Sequence, residues 1–100
     1  MKPAKTFRLA NDQEAAAMSD LVARLRALPA GADAEAIQNE VFEAGKAAGF
    51  EPLRLWFTAL YEVLLGQSQG PRFGSFAAIF GLERTIGLVE AGLAGKLVAV

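Results

Sequence analysis

PLRLWFTALYEVLLGQSQGPRFGSFAAIFG, residues 52–81, is the stretch whose reading decides the fold. Leu53, Trp56, Phe57, Leu60, Tyr61, Leu64 and Leu65 recur at three- and four-residue spacing, which predicts a helix opened by Pro52 and ended by Gly66. Burying those side chains at about 1.5–3 kcal/mol each gives on the order of 10–20 kcal/mol of gross stabilisation, so this helix is expected to be the core's central element. Residues 67–74 then read as a loop in which Gly70, Pro71, Arg72 and Gly74 crowd together. Ser75 is the expected cap of a short apolar helix over 76–80, which Gly81 ends. Glu83 opens a further helix with Ile86, Val89, Glu90 and Leu93 in register, weakened at Gly87 by about 1 kcal/mol relative to Ala.

Upstream, Asn11 or Asp12 can cap a first helix, on which Met18, Leu21, Val22, Leu25 and Leu28 form one face and Arg24 and Arg26 fall opposite, before Pro29 and Gly31. Asp33 is the expected cap of a second helix with Ile37, Val41, Ala44 and Ala48 as its stripe, Phe42 beside it, and Gly49 just past its end. The expected class is therefore all-α, a compact array of four or five helices, with residues 1–10 a lead-in and 11–100 a single helical domain. The apolar tail, AGKLVAV, is left open between strand and packed coil.

Composition removes whole classes of function. The 100 residues are 53% hydrophobic and 21% charged, as in a globular domain, and no apolar run reaches the roughly 18 residues of a membrane span. There is no Cys, hence no disulfide framework, thiolate metal site or thiol nucleophile. There is no His, hence no Ser–His triad and none of the commonest general base. The net charge of −1 argues against a chain that grips nucleic-acid backbone unaided, so DNA is not an expected partner. The N-terminal residues show no signal-peptide pattern, and a cytoplasmic location is the expectation.

The residues that could bind something lie in and near the loop. Gly66, Gly70 and Gly74 remove side chains so that a partner can approach closely, and Pro71 fixes the shape; these four are the loop-shaping residues. Arg72 is a planar donor fork for phosphate or a base edge, Gln67 and Gln69 can hydrogen-bond base edges, and Phe73 is a stacking candidate. Arg54, near a helix end, can add a phosphate contact. The plainer reading is an ordinary helix connection with Arg72 paired to a carboxylate. The loop is no P-loop, since it lacks the Gly-Lys-Ser/Thr ending and follows a helix. Trp56, Phe57, Tyr61, Phe76 and Phe80 read as core, and Glu40, Glu43, Glu83 and Glu90 as solvated helix faces.

Trp56-Phe57-Thr58-Ala59-Leu60-Tyr61, Leu64-Leu65-Gly66, Gly70-Pro71-Arg72-Phe73-Gly74-Ser75-Phe76 and Ile79-Phe80-Gly81 together resemble the C-terminal end of class I lysyl-tRNA synthetases. The run 37–46, from Ile37 to Lys46, looks like the helix that precedes this motif in that family, and Glu83-Arg84-Thr85-Ile86 like its last helix. The resemblance covers roughly residues 35–93. It implies an anticodon-binding helical cage, related to that of bacterial glutamyl-tRNA synthetases, which would take the anticodon stem-loop of lysine tRNA. The family's enzyme joins lysine to tRNA with ATP and Mg²⁺ in a separate catalytic domain carrying HIGH-type and KMSKS-type motifs. Neither motif occurs here, so the resemblance implies no catalytic residue, metal or cofactor in this chain and a synthetase catalytic domain as partner. A free-standing paralogue, or a helical protein-interaction module that buries the loop and tail 95–100 against another protein, is the alternative expectation.

Overall fold

The first two helices begin and end where a local hydrogen bond closes them. The computed structural model describes residues 8–29, 31–67 and 69–96, and among these it is all helical. Helix α1 (Asp12–Ala27) opens with a capping box. The Asn11 side chain accepts the Glu14 N–H at 2.8 Å, and the Glu14 carboxylate accepts the Asn11 N–H at 3.0 Å. Helix α2 (Ala34–Ala47) is capped by Asp33, whose carboxylate accepts the Ala36 N–H at 2.9 Å. It ends at Gly49, with the N–H groups of Gly49 and Phe50 donating back to the carbonyls of Lys46 and Gly45. Of the expected lead-in, residues 1–7 lie outside the described residues, as do 97–100 of the tail.

The third helix corrects the sequence reading twice. Pro52 does not open it: residues 51–53 form a bend and turn with a cis Glu51–Pro52 bond, and α3 runs Arg54–Leu60. It then widens into a π-helical turn, Tyr61–Leu65. The wider turn shifts the helical phase, so Val63 is buried with Leu64 while Tyr61 and Leu65 are half-buried. Trp56 and Leu60 are buried, but Leu53 and Phe57 also keep some exposure. The core is therefore shared and not centred on α3: Met18, Leu21 and Leu25 of α1 are all 0% exposed. Helix α1 packs on α2 and on α5 (Leu82–Leu93), and α2 packs on α4 (Phe73–Phe80).

Two close approaches set these crossings. At Gly45, the indole of Trp56 occupies space a side chain would need: a Cβ would stand 2.8 Å from Trp56 Cγ and from Leu53 Cδ1. The Trp56 indole N–H donates to the Val41 carbonyl at 2.8 Å, which ties α3 to α2. At Gly74, a Cβ would stand 2.8 Å from Gln38 Cβ and closer still to the Ala34 carbonyl oxygen, so α4 lies nearly backbone-to-backbone on α2. There Gln38, 5% exposed, accepts the Gly74 N–H at 2.6 Å through Oε1. The expected Ser75 cap is thus replaced. Helix α4 starts at Phe73, with no cap from its own flanking side chain, and α2 supplies the acceptor.

Candidate functional site

The described parts of the loop, residues 66–67 and 69–72, fold back on the end of the 54–65 helical segment. Gly66 ends the π turn in the left-handed region, φ 73°, where a side chain would be strained. The Tyr61 hydroxyl donates to the Pro71 carbonyl at 2.7 Å. Gly70 lies over the same ring, where a Cβ would come within 3.0 Å of Tyr61 Cδ1 and 3.2 Å of Leu65 Cδ1. Burial raises the Tyr61 phenol above its ordinary pKa, so the donated proton is retained through neutral pH and beyond.

Braced in this way, the loop presents Gln67, Gln69 and Arg72 to solvent. Among the described residues, no hydrogen bond or ion pair engages their side chains. The plainer reading, Arg72 paired to a carboxylate, is not what the described residues show. Arg54 is also exposed, but it stands at the opposite end of the 54–65 helical segment from the loop, on the order of 15 Å away along the axis. The structure does not bring it to the loop.

Phe73 is not available for stacking in this fold. It is 1% exposed, because α4 begins one residue after Arg72 and turns Phe73, Gly74 and Ala77 inward. The same helical phase turns Phe76 and Phe80, which the sequence reading assigns to the core, to a half-buried position. Phe73 and Phe76 lie 5.9 Å apart, and Phe76 and Phe80 stack at 5.2 Å with 18° between their planes. The Arg84 guanidinium lies over the Phe80 ring, 4.6 Å from its centroid. Ile79, beside them, is 90% exposed. The signal available in the sequence was the four-residue spacing of Phe76, Phe80 and Arg84.

Charge is distributed to match. All eleven carboxylates fall at positions 12–62 and 83–90, and Val63 to Leu82 contains none. Several of them are paired: Arg8 bridges Glu14 (2.7 Å) and Glu62 (2.8 Å), Arg24 bridges Asp20 (2.8 Å) and Glu40 (3.4 Å), and Arg26 meets Glu90. Lys46 lies 3.6 Å from Glu43. Among the described residues no group of three or more Asp or Glu gathers as a metal site, and no helix is long and apolar enough to cross a membrane.

Over 99 residues the chain is 50% identical to the lysine–tRNA ligase of Roseobacter denitrificans. It is similar to part of a lysyl-tRNA synthetase. The lysine–tRNA ligases of Rickettsia bellii (38% over 93 residues) and Rickettsia prowazekii (34% over 95 residues) match it as well. These alignments take in 93–99% of this chain but only 18–19% of each ligase, so the chain spans about one fifth of the length of the relatives it matches. No family model and no solved structure matches the chain.

Proposed function

We propose that this chain is the anticodon-recognition module of a class I lysyl-tRNA synthetase. It holds the anticodon stem-loop of lysine tRNA while a separate catalytic domain, using ATP and Mg²⁺, joins lysine to the tRNA. The observation that carries this reading is the braced loop of 66–72. In a chain whose relatives are lysine–tRNA ligases, it offers Gln67, Gln69 and Arg72 unengaged among the described residues, within the longest acid-free stretch of the sequence.

Each part of the loop has a task that follows from its chemistry. Sequence-specific RNA reading targets unpaired bases splayed from the strand, whose edges a Gln amide can meet as donor and acceptor together. The Arg72 guanidinium suits a phosphate or a base edge, and no neighbouring carboxylate in sequence competes for it. Tyr61, Gly66, Gly70 and Pro71 hold the loop in one shape before RNA arrives, which lowers the ordering cost of binding. The chain's own residues bind and orient; ATP and Mg²⁺ belong to the catalytic part.

The test is anisotropy of a labelled lysine-tRNA anticodon stem-loop, titrated with this chain at several salt concentrations, beside a loop with an altered anticodon. Saturable binding that prefers the lysine anticodon and weakens for Arg72→Ala is the expected result. Binding without anticodon preference, falling steeply with salt, reduces the role to backbone contact. No binding at tens of micromolar overturns the reading and leaves a protein-interaction module.

A further inference from the structure

The row formed by Phe73, Phe76, Phe80 and Arg84 is not used by the loop reading, yet it has the two properties that an unpaired base requires. Its first ring is locked in the core, so the row has a fixed origin, and each later member is more exposed than the first. Its far end is a planar cation lying on a π face, the Arg84 guanidinium over Phe80. Arg84 is exposed, and among the described residues no carboxylate pairs with it. The rings stand on α4, in the stretch without a carboxylate, and exposed Ile79 keeps the surrounding surface apolar. Arg84 lies just past that stretch, beside exposed Glu83, and farther off an approaching phosphate meets more acids, including Glu35, Glu51 and the Arg8-paired Glu62.

We propose that the exposed end of this row, Arg84 on Phe80, is a stacking platform for one unpaired base of the bound RNA, with Phe76 and Phe73 holding Phe80 in place. The base lies on the guanidinium–phenyl surface, and the Arg84 charge offsets the adjoining phosphate. This rests on the anticodon reading and adds to it the residues that supply stacking, where Phe73 was the expectation. Stacking tolerates any base, so the platform contributes affinity and leaves discrimination to Gln67, Gln69 and Arg72.

Charge and stacking are separated by Arg84→Lys, which keeps the cation and loses the plane. The platform predicts that Arg84→Lys and Phe80→Leu each weaken stem-loop binding about tenfold, equivalent to about 1.4 kcal/mol. Anticodon preference is unchanged in both. Replacing the stacked nucleotide by an abasic one costs the wild type a similar factor but costs Arg84→Lys almost nothing further, since both remove the same contact. Arg84 is exposed, so its variant tests the idea even where Phe80→Leu loosens the fold. If the wild type binds with anticodon preference but Arg84→Lys and Phe80→Leu bind within twofold of it, the platform is refuted and the anticodon reading stands. If each loop nucleotide made abasic in turn costs Arg84→Lys as much as it costs the wild type, the platform is equally refuted. If the wild type binds no RNA, both fall together.

Discussion

Gly74→Ala sets helix propensity against tertiary geometry, and the two give opposite signs. In an isolated helix, Ala in place of Gly is favourable by about 1 kcal/mol. Here the new methyl would stand 2.8 Å from Gln38 Cβ, against an ordinary contact of at least 3.4 Å, and nearer still to the Ala34 carbonyl oxygen. Helix α4 must then retreat from α2 by about 0.6 Å or more, an overpacking cost of roughly 1–3 kcal/mol. The same retreat stretches the 2.6 Å hydrogen bond from the Gly74 N–H to Gln38 to the limit of a useful one, and a buried N–H left unpaired costs a further 1–3 kcal/mol or so. Less the propensity gain, the net loss is about 3 kcal/mol, a large share of the 5–15 kcal/mol or so that holds a typical domain folded. For a domain of this size that lowers Tm by roughly 12–24 °C. The sole tryptophan, Trp56, is 0% exposed and reports unfolding by the red shift of its emission, so urea titration with fluorescence and circular dichroism measures the change. A fall in midpoint at unchanged m is the expected result. A neutral or stabilised Gly74→Ala would show that α2 and α4 are not in backbone contact.

Gly87→Ala is the matched control: Gly87 is exposed within α5 and a Cβ there meets nothing within 4 Å, so it should stabilise by about 0.5–1 kcal/mol in the same titration. Tyr61→Phe keeps the ring and removes the hydroxyl that holds Pro71; a loss of about 1 kcal/mol or less in stability, with a larger relative loss in stem-loop affinity, is expected from melting and anisotropy run in parallel. The hydrogen bond from Arg8 holds the Glu14 carboxyl below its ordinary pKa, against the opposing effect of burial. Its folded value is therefore depressed, so its stabilisation is fully present above the ordinary carboxylate range and is lost as pH falls through that range and below. Glu14→Gln should cost about 1 kcal/mol at neutral pH and flatten the acid side of a stability–pH curve; a curve parallel to the wild type's would refute the assignment.

What the sequence revealed of the fold divides by how far each determinant lies along the chain. The starts of α1 and α2 were readable because Asn11, Glu14 and Asp33 bond to backbone three residues away. The start of α4 was not, because its acceptor is Gln38, 36 residues upstream. Without that start the phase of α4 is undetermined, and this explains the exchange of Phe73 for Phe76 and Phe80 at the candidate surface. The π turn was equally hidden, since the spacing of Tyr61, Leu64 and Leu65 also fits a regular helix. Within the loop, Gly66 and Pro71 announced a bend by their own chemistry. The partner that holds it, the Tyr61 hydroxyl, looked like one more member of an apolar stripe.

The cap that Gln38 provides also makes the stacked row conditional. Helix α4 has eight residues, fewer than the roughly 12–15 at which isolated helices become even marginal in water. It persists because α2 is already there to accept the N–H of its second residue, Gly74, and to fit that glycine. The aligned rings are thus a property of the assembled domain and not a portable motif. A peptide of residues 63–96 would carry every residue of the row and none of its order.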